Sequence, residues 1–175
     1  EEDMAASINL SALTAKNSFS SPDGLWFSKA TGICWIQTDD GAFTDETNCM
    51  LLAAIPGQVG DGSKITVNNQ LTVSGAVVNG QQETFIGAAL GETKLRRFLV
   101  APKGAEVTGI TETADGRTLF VNIQHPGENT PAIGATAAAH AFESQWPGNQ
   151  AFGPTGRPRS ATIVITRTDG GVIGV

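Results

Sequence analysis

Cysteine, positive charge and long apolar runs are all scarce in this chain, and each scarcity excludes something. Two cysteines, Cys34 and Cys49, are too few for a disulfide-stapled scaffold. They can pair in an oxidising compartment or remain buried thiols that behave as small hydrophobes, and both readings stand at this level. Eleven basic residues against seventeen acidic ones give a net charge of −6. That balance argues against nucleic acid as a partner, because phosphate contacts require a basic surface. No apolar run approaches the ~20 residues of a membrane-crossing helix. Also missing are Gly-x-Ser-x-Gly, His-Glu-x-x-His, a phosphate-binding glycine-rich loop and paired-cysteine zinc spacing. Glu1-Glu2-Asp3-Met4 offers neither an initiating Met nor a signal peptide, so the chain reads as processed or as a piece of a longer one.

What is present points to a folded β protein. A 40% hydrophobic content over 175 residues suffices for one domain with its own core and excludes a disordered tail. Runs rich in β-branched and aromatic residues, stopped by Gly, Pro and Asp, predict strands over 25–28, 33–38, 48–55, 95–100, 106–111, 118–123, 160–166 and 171–175. Ala30-Thr31-Gly32, Ala114-Asp115-Gly116-Arg117 and Asp169-Gly170-Gly171 read as the turns between them. Residues 58–90 break the pattern with short β-branched runs punctuated by Gly and Asn. They read as a hairpin excursion from the main sheet, with Asn79-Gly80 as its strongest turn signal. The first sixteen residues are expected to form a short helix or a loose arm, and 135–144 a helical turn or two or an irregular loop.

The hairpins repeat. Asp23-Gly24-Leu25-Trp26-Phe27, turn, Ile33 to Gln37 resembles Thr108-Gly109-Ile110-Thr111-Glu112, turn, Thr118 to Asn122, and each pair is followed by two further strands. Four antiparallel strands per unit, repeated, is the signature of β-propeller blades. The fold class expected is therefore all-β: four-stranded antiparallel sheets forming about two propeller blades, with a hairpin-like insertion. The single domain divides into a unit over 17–101, carrying the insertion at 58–90, and a unit over 102–175. A propeller ring takes about four or more blades. Two blades with bare faces and edge strands are thus expected to associate with copies of themselves.

Few groups could carry chemistry. Alternation along a strand puts Glu106 and Thr108 on one side, and likewise Ser21 and Asp23. Each unit thereby offers a carboxylate near the start of its inner strand, Glu106 in one and Asp23 in the other. Carboxylate oxygens suit calcium and ferric iron. For Asp23 a Pro-Asp-Gly turn is the competing reading. Gln124 and His125, at a strand end in Gln124-His125-Pro126-Gly127-Glu128, are candidates for substrate contact, or else belong to a hydrogen-bonded strand terminus. Arg96 and Arg97 face opposite ways, so at most one can meet a phosphate, and surface pairing is the simpler reading. Trp26, Trp35 and Trp146 read as packing residues, and His140 as incidental.

Several words in the sequence resemble the PhoX family of alkaline phosphatases. They are Arg96-Arg97-Phe98-Leu99-Val100, Glu106-Val107-Thr108-Gly109, Phe120 through Glu128 and Arg157 through Thr166. Upstream, Ser20 through Phe27 and Trp35 through Asp39 are similar to it too. The resemblance implies a β-propeller enzyme with a calcium and iron centre that hydrolyses phosphate monoesters in the periplasm or outside the cell. It places Glu106 in the family's metal-site motif, although Ala105 stands where a Cys often precedes that glutamate. The remaining ligands, an iron-binding cysteine among them, belong to N-terminal blades that this chain lacks. Cys34 and Cys49 match no such motif. The chain is therefore expected to be a C-terminal fragment that neither holds iron nor works alone. The alternative is a non-catalytic, propeller-like binding or assembly module.

Overall fold

A computed structural model describes residues 12–41, 46–131, 142–148 and 156–175. The helix expected near the N-terminus, most of the one expected over 135–144, and His140 lie outside the described residues. Strand β1 (Pro22–Phe27) and β2 (Cys34–Thr38) pair as a hairpin, β3 (Met50–Ala54) adds to β2, and β6 (Leu95–Val100) adds to β3. This four-stranded sheet is antiparallel throughout. Strands β7 (Glu106–Glu112), β8 (Thr118–Gln124) and β9 (Ala161–Thr166) form a second antiparallel sheet. Between them β4 (Lys64–Val73) and β5 (Ala76–Phe85) make a separate two-stranded sheet, and a four-residue helix, α1 (Gly91–Lys94), leads into β6. The all-β architecture of antiparallel, blade-like sheets is the one the sequence predicts.

The core explains why these runs are strands. Trp35 and Leu51 from the first sheet meet Val107, Leu119, Val121 and Ile123 from the second, all at most 2% exposed. Trp26, Trp146, Ile163 and Ile165 pack against this cluster from its rim. The opposite face of the first sheet is also covered: Cys34, Met50, Leu52, Ala54 and Leu95 lie under Leu13, Phe19 and Leu90. A strand buried on both faces has no polar side to show, hence the unbroken apolar run Met50-Leu51-Leu52-Ala53-Ala54. In β9, with one face outward, Ile163 and Ile165 alternate with exposed Thr162, Val164 and Thr166.

Three details differ from the sequence-based expectation. The insertion turns at Ser74-Gly75, not at Asn79-Gly80. Ser74 and Gly75 both have positive φ (51° and 81°), as a two-residue hairpin turn of this hand demands. That turn lets ten pairs form from Lys64↔Phe85 to Val73↔Ala76, which leaves Asn79 and Gly80 inside β5 opposite Gln70 and Asn69. A turn at 79–80 would put Ser74-Gly75 inside a strand and shorten the ladder. Second, residues 171–175 are not a strand. After β9 the Arg167 guanidinium holds both carboxylate oxygens of Asp169 (3.0 and 2.6 Å), Gly170 N–H donates to the Arg167 carbonyl, and the chain turns inward. Ile173 then enters the core and its N–H donates to the Gly116 carbonyl (2.9 Å). Among the described residues the second sheet has three strands. Third, Ser21 lies before β1 with φ of 47°, so strand alternation does not relate it to Asp23.

Cys34 and Cys49 are both free and buried. Burial raises each thiol's pKa; for Cys49 the nearby Asp39 and Asp40 charges add to this, while its hydrogen bonds with Asp40 and Thr38 oppose it.

Candidate functional site

Strands β1 and β7 are both bulged near their starts. In β1 the register runs from Pro22↔Thr38 to Gly24↔Gln37, so Asp23 is the extra residue. In β7 it runs from Val107↔Ile123 to Ile110↔Val121, which leaves Thr108 and Gly109 opposite the single Asn122. The glycine in each bulge has a physical reason. A Cβ on Gly24 would meet the Gln37 side chain, and one on Gly109 would meet that of Asn122. The repeat seen in the sequence, Asp23-Gly24 with Gln37 and Thr108-Gly109 with Asn122, is thus a repeat of bulge geometry. Gln37, 3% exposed, also joins the two sheets by donating from Nε2 to the Thr108 carbonyl (3.0 Å).

Glu106 begins β7 and is 9% exposed. Burial raises its carboxyl pKa above the usual carboxylate range, and the Asp39 charge raises it further; Asp23 acts in the same direction, while His125 opposes them. His125 Nε2 lies 3.2 Å from Oε2 of Glu106. Its other ring nitrogen is 3.0 Å from Oε2 of Glu128, close enough for an ion pair but not aligned as a hydrogen bond. The ring is held by backbone rather than by packing alone. His125 has φ of 32°, a left-handed value rare for a non-glycine, and its N–H donates to Ser160 Oγ (2.9 Å). The following loop is pinned by Gly127 N–H to the Lys103 carbonyl and Glu128 N–H to the Gly104 carbonyl.

The fold therefore brings Glu106, Asp23 and His125 to one end of the two sheets, together with Asp39. Asp39 is the residue that sequence reasoning missed, because Asp39-Asp40-Gly41 was legible only as a turn. The available signal was register: Thr38 pairs with Pro22, so Asp39 must follow β2 beside the start of β1. Asp39 N–H donates to the Ser21 carbonyl (3.2 Å), and Asp40 beside it accepts from Ser20 Oγ and Ser21 Oγ. Gln124 pairs with Glu106 in the ladder, and its side chain is exposed at the strand end.

Arg96 and Arg97 are not part of this cluster. Arg96 Nε donates to the Glu92 carbonyl, and Arg97 Nη2 donates to the carbonyls of Ala15 and Ser18, which straps residues 15–18 to β6. Apart from Arg97 Nε, which donates to Met50 Sδ (3.3 Å), these contacts are with backbone oxygens, where surface ion pairing was the simpler expectation. With Ile33, Ile55, Phe98 and Val175 they border an open groove of about 630 Å³ away from Glu106.

Carboxylate oxygens suit a hard cation chemically. In number they fall short: among the described residues no three His, Cys, Asp or Glu side chains stand close enough together to hold a metal ion.

The fold and this acidic, histidine-bearing end define an all-β chain of repeated antiparallel sheets with a shared carboxylate cluster. The family model for alkaline phosphatase PhoX matches residues 1–127. The solved structure of Pseudomonas fluorescens PhoX, described as a complex with vanadate, a transition state analogue, is 36% identical over 90% of this chain, with a TM-score of 0.54. This chain belongs to the PhoX alkaline phosphatase family. It spans 20% of the length of that Pseudomonas chain. No curated protein matches it.

Proposed function

We propose that these residues supply two blade-like sheets and one carboxylate corner of a PhoX-type enzyme that hydrolyses phosphate monoesters, and that the chain is inactive alone. The observation that carries this reading is Glu106: a buried carboxyl at a strand start, facing other acids, with a histidine against it and, among the described residues, no Lys or Arg in its ion pairs. A structural acid is normally paired with a cation, whereas an acid kept among acids suits a site that takes up positive charge. Glu106 would be an oxygen ligand in the complete enzyme and Asp23 a second, with calcium and iron as the cations. His125 would orient the Glu106 carboxylate, and Gln124 would face the substrate. Calcium takes about six to eight oxygens, so the other ligands would come from beyond this chain. The vanadate bound by the Pseudomonas enzyme supports phosphoryl-transfer chemistry for the family. A periplasmic or secreted setting follows from the same kinship; self-association of the isolated chain would follow instead from its exposed apolar surface and edge strands.

The test is Glu106→Gln in this chain and at the matching glutamate of Pseudomonas fluorescens PhoX, assayed with a chromogenic phosphate monoester and with calcium and iron supplied. The expected result is no hydrolysis by the chain and loss of activity in the Pseudomonas enzyme. Hydrolysis by this chain that disappears with Glu106→Gln would overturn the reading.

A further inference from the structure

Arg96 takes no part in the acidic cluster, and its surroundings form a site of another kind. A row of paired residues crosses the first sheet, Trp26↔Trp35, Trp35↔Ala53 and Ala53↔Arg96, and Ala53 is its small member. Along β6 the register passes from Leu52↔Arg97 to Leu51↔Leu99, so Phe98 is an extra residue. A bulge re-aims the side chain it carries. Phe98 stands edge-on to Trp35, with ring centroids 4.8 Å apart, and stays 38% exposed. The chain after β9 closes in from the other side. Gly174 has φ of 90°, and a Cβ there would collide with Cδ1 of Ile33, so only glycine lets the backbone lie so close. Between these walls runs the groove of about 630 Å³, with Ile33, Ala53 and Phe98 as apolar surface and exposed Lys94 and Arg96 beside them.

The charged ends of those two cations are left over. Arg96 engages only Nε, on the Glu92 carbonyl (3.2 Å), and among the described residues neither its Nη atoms nor Lys94 Nζ has a hydrogen-bond acceptor. Acids of the adjoining segments are occupied elsewhere. Glu92 binds Thr14 Oγ1 and Lys16 Nζ, and Asp61 accepts from the N–H groups of Gln58 and Ala88. Arg167 Nη1 donates to the main-chain oxygen of Val175, at the end of the groove. A chain of net charge −6 therefore keeps two unengaged cations at one apolar groove.

We infer that this groove binds a small amphiphilic anion, with an aromatic or branched apolar body on Phe98, Ala53 and Ile33 and a carboxylate or phosphate head held by Arg96 and Lys94. A guanidinium offers such a head two parallel N–H bonds, and Lys94 adds a mobile point charge. An uncharged apolar occupant would cover both cations without pairing them, at a larger cost than its contacts offset. The size fits as well, since pockets for small ligands run from about 300 to 1,000 Å³.

The site lies away from Glu106 and does not rest on the phosphatase reading. Its test is titration of the whole chain with phenylacetate and with benzylphosphonate, whose P–C bond a phosphatase does not hydrolyse, followed by amide NMR. The expected result is saturable shifts at the amides of Ala53, Phe98 and Gly174 with at least one of the two, at a Kd of about 1 mM or below. The acid that binds more tightly identifies the head. Benzyl alcohol, acetate and inorganic phosphate, each lacking head or body, should bind at least about tenfold more weakly. Arg96→Gln, at an exposed position, should weaken binding at least about tenfold. Lys103→Gln, at an exposed cation outside the groove, should leave it unchanged. No saturation by either acid at about 20 mM would overturn the inference. Equal losses in the two variants would also overturn it, by marking general charge attraction. Shifts at the same amides on concentrating the chain alone would overturn it in favour of a second copy.

Discussion

Glu112 ties the two larger sheets together, and replacing it should loosen the end of the molecule opposite the acidic cluster. Its carboxylate, at the end of β7, reaches the turn between β1 and β2. There Oε2 accepts from Ser28 Oγ (2.8 Å), and Oε1 accepts from the N–H groups of Lys29 (2.8 Å) and Ala30 (3.3 Å). Ser28 is 4% exposed, so losing its charged acceptor strands a buried hydroxyl at a cost of about 1.5–3 kcal/mol. Lys29 and Ala30 are exposed; water replaces Glu112 on their N–H groups, and each adds only about 0.5 kcal/mol or less. Glu112→Ala is thus expected to destabilise the chain by about 2–3 kcal/mol. Glu112→Gln, which keeps an acceptor oxygen without the charge, should lose about half of that. The assay is urea unfolding followed by fluorescence of Trp35, which is 1% exposed in the core. Ser28→Ala alone and combined with Glu112→Ala completes a double-mutant cycle whose coupling should exceed about 1 kcal/mol. A loss below about 0.5 kcal/mol with no coupling would show that the carboxylate does not hold the sheets together.

Glu106→Gln should raise stability at neutral pH. A folded-state pKa above the ordinary one means that ionising Glu106 costs folding energy as pH rises past the usual glutamate range. The gain should fade to nothing as pH falls below that range; a loss of stability at neutral pH, measured by urea unfolding, would refute it. Leu51→Ala, at a fully buried position between the sheets, should cost about 2–5 kcal/mol, whereas Val164→Ala on the outward face of β9 should cost far less. Equal costs in the same assay would contradict the assigned core. Gly24→Ala should displace the Gln37 side chain and break its bond to the Thr108 carbonyl, seen as faster exchange and shifted amide resonances at the β7 bulge. Light scattering across a dilution series should show self-association of the chain; a monomer at all concentrations counts against it.

Local chemistry wrote most of the strands into the sequence. The run from Asn48 to Ile55 read as a strand and Ala114-Asp115-Gly116-Arg117 as a turn, and the likeness between the two hairpins survives as matched bulges. These features depend on neighbours a few residues away, where propensity and alternation act. The turn at Ser74-Gly75 was not legible, because ladder length outweighed the stronger Asn79-Gly80 signal, and that depends on pairing along the whole hairpin. Nor was the fate of 171–175, whose β-rich composition serves equally to bury Ile173 beneath a turned chain. The site divides the same way. Glu106, Asp23 and His125 stood out as residues, but a sequence carries no distances. Only the packing of β7 against β1 and β2 brings Asp39 toward Glu106 and lays His125 against its carboxylate, and burial at that contact sets the glutamate's charge behaviour.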